Sequence, residues 1–183
     1  MAVMISEENQ STEAQLVNEM IERLTSIDWY SQAGKQCAGS AEKAVQFIES
    51  IGVSHYEVRT VSKEEIPNII QKLTFNGSEL WSVLKEEPDR LKEKLAVSGK
   101  EELLQKVVDV VPEAVFHPAF TGAHQAFRDS KTVQFLIGHA MYISVMSCTA
   151  VLAGEKELFE PILNIMEAGH IPLGPEGNIF YIA

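Results

Sequence analysis

The chain has 183 residues, of which 45% are apolar, and its 26 acidic side chains outnumber 15 basic ones for a net charge of −11. That length suits a single globular domain over 1–183, with a core large enough to need neither a disulfide nor a structural metal. The charge argues against nucleic-acid binding, which needs clustered Lys and Arg, and equally against an anionic membrane surface. It is also uneven, since residues 1–30 carry −5, residues 154–183 carry −4 and the long middle only −2.

In chain order, MAVMISEENQ has neither a basic start nor a long apolar stretch, so no signal peptide is expected and the expected compartment is the cytoplasm. Thr12 and Gln15 form a capping box, and Leu16, Val17, Met20, Ile21, Leu24 and Ile27 follow at helical spacing. Asp28-Trp29-Tyr30 leaves this helix and Gly34 turns the chain. Ser40 opens a second helix with Ala44, Val45, Phe47, Ile48 and Ile51 inward, closed by Gly52. His55 to Val61 alternates like a short strand. A second capping box, Ser62 with Glu65, starts a helix carrying Ile66, Ile69, Ile70 and Leu73, with Pro67 tolerated in its first turn. Asn76-Gly77 is a turn.

Residues 78–112 read as two or three amphipathic helices, broken at Pro88 and separated at Gly99. Pro112 and Pro118 bracket an irregular piece, followed by a short helix over 121–129. Thr132 to Gly154 holds no charged side chain and is long enough to span a bilayer. Gln134, His139, Tyr142, Ser144, Ser147 and Thr149 interrupt it, however, and no one-sided basic flank anchors it. It is therefore expected to be the buried central helix of a bundle, with Val133, Leu136, Ile137, Ala140, Ile143, Val151 and Leu152 in the core and the first and last helices packed on it. The last helix ends near Ala168 with Gly169 as its stop, and IPLGPEGNIFYIA reads as a hairpin that pairs with the strand at 55–61. The fold class expected is mainly α (α+β): a helical bundle around a central apolar helix, with a short strand and a C-terminal β-hairpin.

Two stretches stand out as a pair: Ile27-Asp28-Trp29-Tyr30-Ser31-Gln32-Ala33-Gly34 and Ala168-Gly169-His170-Ile171-Pro172-Leu173-Gly174. Together they resemble uncharacterised bacterial cytosolic proteins that begin with a helix ending in a Trp-aromatic-Ser turn and finish with a Gly-His-x-Pro-x-Gly segment and an aromatic strand. The resemblance covers about 30 residues at the two ends and implies a fold, with no chemistry attached.

The candidate chemistry is sparse. His117, His124 and Asp129 have the donor types for zinc or another divalent ion, which would make the chain a metal-dependent hydrolase, but no HExxH pairing on one helix accompanies them. Cys148 lies in an apolar run, which makes it an inert buried thiol, and Cys37 has no framework spacing with it. No phosphate loop, nucleophile elbow or dinucleotide fingerprint is present, and no cofactor is expected. The working expectation is a non-enzymatic protein-binding domain, by analogy with small acidic bacterial proteins that neutralise toxins. It would meet a basic protein partner through Glu19, Glu22, Glu157 and Glu160, with no nucleic acid or membrane involved. The other expectation is a small-molecule sensor, because Gln134, His139, Tyr142 and Ser144 can border a pocket beside the apolar helix.

Overall fold

The computed structural model describes residues 12–36, 38–73 and 78–183. Cys37 and the Asn76-Gly77 turn lie outside the described residues.

Helix α1 (Thr12–Thr25) buries Ala14, Val17, Met20, Ile21 and Leu24, while Leu16 stays exposed. Helix α2 (Ala38–Ser50) buries Ser40, Ala44, Phe47 and Ile48; Val45, expected inside, faces out. Strand β1 (Glu57–Thr60) follows. The turn ahead of α3 (Ile66–Lys72) is tied by the Ser62 amide donating to the Glu65 carboxylate at 2.8 Å, the backward half of the expected box.

The proline-based boundaries are overturned. Helix α4 (Glu79–Val97) runs through Pro88, and α5 (Glu101–Ala126) runs through both Pro112 and Pro118, so there is no irregular piece and no separate helix over 121–129. An internal proline costs a hydrogen bond and a clash, about 3 kcal/mol. In α5 that cost is outweighed by an unbroken buried row, Val107, Val111, Val115, Ala119 and Ala123, continuing past both prolines. In α4 the row Leu80, Leu84, Leu91 and Leu95 spans Pro88 in the same way. Gly99, at φ +68°, does separate the two helices.

Helix α6 (Ser130–Leu152) is the centre of the core. It buries Val133, Leu136, Ile137, Ala140, Ile143 and Leu152, with Val151 half-buried. It is the one described helix long and apolar enough to cross a membrane. Here α5 lies along most of its length, and α1, α3 and α4 cover further parts of it. Two of its buried hydroxyls bond within the helix: Ser147 donates to the Ile143 carbonyl at 2.7 Å and Thr149 to that of Val145 at 2.8 Å. A 3-10 turn (Lys156–Leu158) leads to α7 (Glu160–Glu167). Helix α7 packs chiefly on α2 and only lightly on α6, because its short apolar face meets the Phe47 side of α2, where the Phe47 and Phe159 rings lie 6.0 Å apart. The chain closes with β2 (Pro172–Glu176) and β3 (Ile179–Ile182), an antiparallel hairpin. Strand β3 also pairs in parallel with β1, giving the sheet order β1-β3-β2.

The two paired stretches meet in space. The Gln32 amide donates to the Gly169 carbonyl at 3.0 Å. Trp29 is 3% exposed and the Tyr30 hydroxyl donates to the Leu136 carbonyl of α6 at 2.7 Å. Burial holds the Tyr30 phenol far above its ordinary pKa. Two glycines permit this docking. A Cβ on Gly122 of α5 would lie 2.4 Å from the Trp29 carbonyl oxygen, and one on Gly169 would lie 2.4 Å from the Ser31 hydroxyl. Nearby, Arg23 of α1 forks onto Glu160 and Glu167 of α7, which links the first and last helices through their side chains.

Candidate functional site

Among the described residues, one face of α6 is left without a covering helix. Gln134, Gly138 and Tyr142 follow at four-residue spacing, with Phe135 and His139 beside them, so all five share a face by the 3.6-residue period. Across from them stands Trp81 of α4. Ser78 caps that helix, its hydroxyl accepting from the Trp81 amide at 3.1 Å, which fixes the tryptophan in the first turn. These six residues line an open, almost wholly apolar groove of about 420 Å³. A narrow continuation of about 30 Å³ runs from Trp81, His139 and Tyr142 down to Phe47, Phe159 and Phe180. The hairpin forms part of its wall: Gly174, at φ +117°, has space for a Cβ only 3.3 Å from the Trp81 ring.

His139 joins groove and hairpin. Its ring stacks on Phe135 at 5.5 Å and 11°, and Nε2 lies 2.7 Å from the Pro172 carbonyl oxygen. A carbonyl only accepts, so Nε2 carries the proton and the lone pair is on Nδ1. Burial pushes the imidazole down to about 4, against the opposing pull of the Pro172 carbonyl, so the ring is neutral at pH 7. Tyr142 has its phenol raised by burial and, second, by the Glu87 carboxylate. The groove therefore offers aromatic walls, a glycine floor, the Gln134 amide, one phenol and a neutral imidazole, with no formal charge on its lining.

Three of the four residues expected to border such a pocket do so: Gln134, His139 and Tyr142. Ser144 does not. Two residues beyond Tyr142, it lies about 200° around the helix and is fully buried, its hydroxyl without a partner among the described residues. Trp81, Phe135 and Gly138 were not among the expected residues. A tryptophan in the first turn of a charged helix was the available signal for Trp81.

The remaining candidates are dispersed. His117 and His124 are both exposed on α5, seven residues apart, which puts about 10 Å of helix rise between them and prevents them from sharing one ion. His124 stacks instead on Phe120 at 4.3 Å. Asp129 caps α6, accepting from the Thr132 amide at 2.8 Å and hydroxyl at 2.7 Å, and the bonds to Thr132 lower its pKa. Among the described residues no three His, Cys, Asp or Glu side chains are grouped to hold a metal. Glu19, Glu22 and Glu157 are exposed, whereas Glu160 is half-buried and held by Arg23, which lowers its pKa. Cys148 is buried, and burial pushes its thiol up to about 12.

No protein-family model, curated protein or solved structure matches this chain.

Proposed function

We propose that the protein binds a small, flat, mostly apolar molecule in the groove on α6, acting as a small-molecule sensor or carrier. The observation that carries this reading is the groove's make-up: aromatic walls from Trp81, Phe135 and Tyr142 around an open floor at Gly138. Its volume of about 420 Å³ falls within the range of small-ligand sites, roughly 300–1,000 Å³. Because the lining carries no charge, the ligand is neutral. With Nε2 on the Pro172 carbonyl, His139 offers Nδ1 as an acceptor, so a ligand that bonds to it brings one N–H or O–H donor. An indole or a phenol has both properties.

The acidic-surface reading takes second place. Arg23 offsets Glu160 and Glu167, leaving a thinner field at Glu19, Glu22 and Glu157 to attract a basic protein.

The test is a saturation-transfer NMR screen of neutral aromatics, indole and phenol included, against the wild type and Gly138→Leu. A Cβ at Gly138 meets nothing within 4 Å, so the variant should fold while filling the groove. Binding by the wild type that Gly138→Leu abolishes is the expected result. Equal binding by both proteins, or none by the wild type, would contradict the reading.

A further inference from the structure

The groove on α6 has a side slot. Trp81, His139 and Tyr142 line both the groove and its narrow continuation of about 30 Å³, so they form the mouth between the two. Past that mouth the walls come from Leu84 of α4, Ile143 of α6 and the hairpin residues Gly174 and Pro175. The far end is blind. Phe47, Phe159 and Phe180 close it, each at most 3% exposed, with the Phe47 ring 6.0 Å from Phe159 and 6.4 Å from Phe180.

Size, chemistry and rigidity together suit this slot to a hydrocarbon chain. A void of about 30 Å³ holds roughly two methylene-sized spheres, since one such sphere needs about 10–15 Å³. Packed cores leave few voids larger than a water molecule, and this one opens toward the place where the ligand's ring would lie. Among the described residues every side chain past the mouth is hydrocarbon, so the slot stays dry and an entering methylene displaces no ordered water. The shape is fixed from both sides. His139 Nε2 donates to the Pro172 carbonyl at 2.7 Å, and the pairing of β2 with β3 holds the rest of the hairpin wall. Gly174, at φ +117°, brings that wall so near the Trp81 ring that a Cβ would lie 3.3 Å from it. A preformed slot accepts a chain with little ordering cost on the protein side.

We propose that the ligand is a neutral aromatic ring carrying a short, unbranched alkyl chain of about two carbons, with the ring in the groove and the chain in the slot. This rests on the groove reading and narrows it to short-chain alkylphenols and alkylindoles. Each carbon that enters the slot tightens binding about fourfold. Further carbons meet the three phenylalanine rings, and a branched chain does not pass the mouth. Leu84 sets this selectivity, because it lines the slot and not the groove.

The experiment is a calorimetric titration of the full chain with phenol and its ortho, meta and para alkyl derivatives from methyl to butyl, tert-butyl included. Using all three ring positions keeps the result independent of which one faces the mouth. The best isomer should gain about fourfold in affinity per carbon as far as ethyl and then level off or fall, with tert-butyl no tighter than methyl. Leu84→Phe, which narrows the slot, should bring the ratio of ethylphenol to phenol affinity close to one. Leu84→Ala, which widens it, should carry the gain on to propyl or butyl. The two variants pull in opposite directions, so a general loss of stability does not imitate the pair. An affinity that climbs evenly through butyl, a tert-butyl derivative that binds tightest, or an ethyl-to-phenol ratio unchanged in both variants would overturn the slot. In each of those cases phenol binding that Gly138→Leu abolishes would still uphold the groove. Absence of binding across the whole series would overturn both.

Discussion

Two glycines in the middle of neighbouring helices have opposite surroundings. At Gly122 of α5 a Cβ would lie 2.4 Å from the Trp29 carbonyl oxygen, whereas at Gly138 of α6 it would meet nothing within 4 Å. The tryptophans beside them differ in parallel: Trp29 is 3% exposed and locked into the core, while Trp81 is half-buried on the wall of an open groove. Glycine is costly inside a helix, by about 0.5–1 kcal/mol relative to alanine, so each position calls for a separate account. At Gly122 the missing side chain allows a backbone to dock. At Gly138 no protein atom needs the space, and the space belongs to the groove.

That contrast gives its largest expected effect at Gly122. Alanine improves helix propensity there by up to about 1 kcal/mol, but the new methyl must displace backbone, which outweighs the gain. Gly122→Ala should lower the unfolding free energy by about 3 kcal/mol in urea denaturation. A variant as stable as the wild type would mean that the 29–34 turn is not seated on α5.

A smaller effect is expected from His139 on the groove side. Its folded pKa of about 4 lies below the ordinary 6.5. As pH falls the unfolded chain takes up the proton first, so the stability from burying neutral His139 is complete above about 6.5 and is lost between 6.5 and 4. The loss should be on the order of 2 kcal/mol between pH 7 and pH 4.5. His139→Gln, which keeps an N–H for the Pro172 carbonyl, should flatten that part of the curve. The salt-bridged Glu155, held down to about 2 mainly by Arg90, acts lower on the pH scale, and His170, also lowered by burial, contributes equally in wild type and variant. An unchanged acid slope in the variant would show that His139 titrates like a free imidazole.

The smallest effect is a gain. Gly138→Ala should raise stability by roughly 0.5–1 kcal/mol, because the added methyl relieves the backbone entropy and meets no atom. Destabilisation would mean that the floor of the groove is packed.

These same positions explain how much of the molecule was legible in its sequence. What lies within one element can be read from its period. Helix α1, the core face of α6, the Gly169 stop and the hairpin all follow from local spacing, and so do Gln134, His139 and Tyr142 as neighbours on one helix face. What depends on two elements meeting cannot be read that way. Pro88, Pro112 and Pro118 each break a helix by local rules, but the buried rows around them, formed only when α4 and α5 pack, carry the helices through. Trp81 reaches the groove because α4 lies beside α6, and the seating of Trp29 on Gly122 joins residues 93 positions apart. Ser144 shows the opposite error, a polar residue in an apolar helix assigned to the pocket when its angular position puts it inside. His117 and His124 were grouped by closeness in sequence, which on one continuous helix leaves them two turns apart.

The chain has two tryptophans, so its ¹H–¹⁵N spectrum holds two indole N–H peaks that report on the two sides of the comparison separately. Titration with the aromatic ligand that binds best in the screen should shift the Trp81 peak and leave the Trp29 peak in place, and Gly138→Leu should remove the shift. Movement of the Trp29 peak alone, or equal movement of both, would contradict the assignment of the groove on α6 as the binding site.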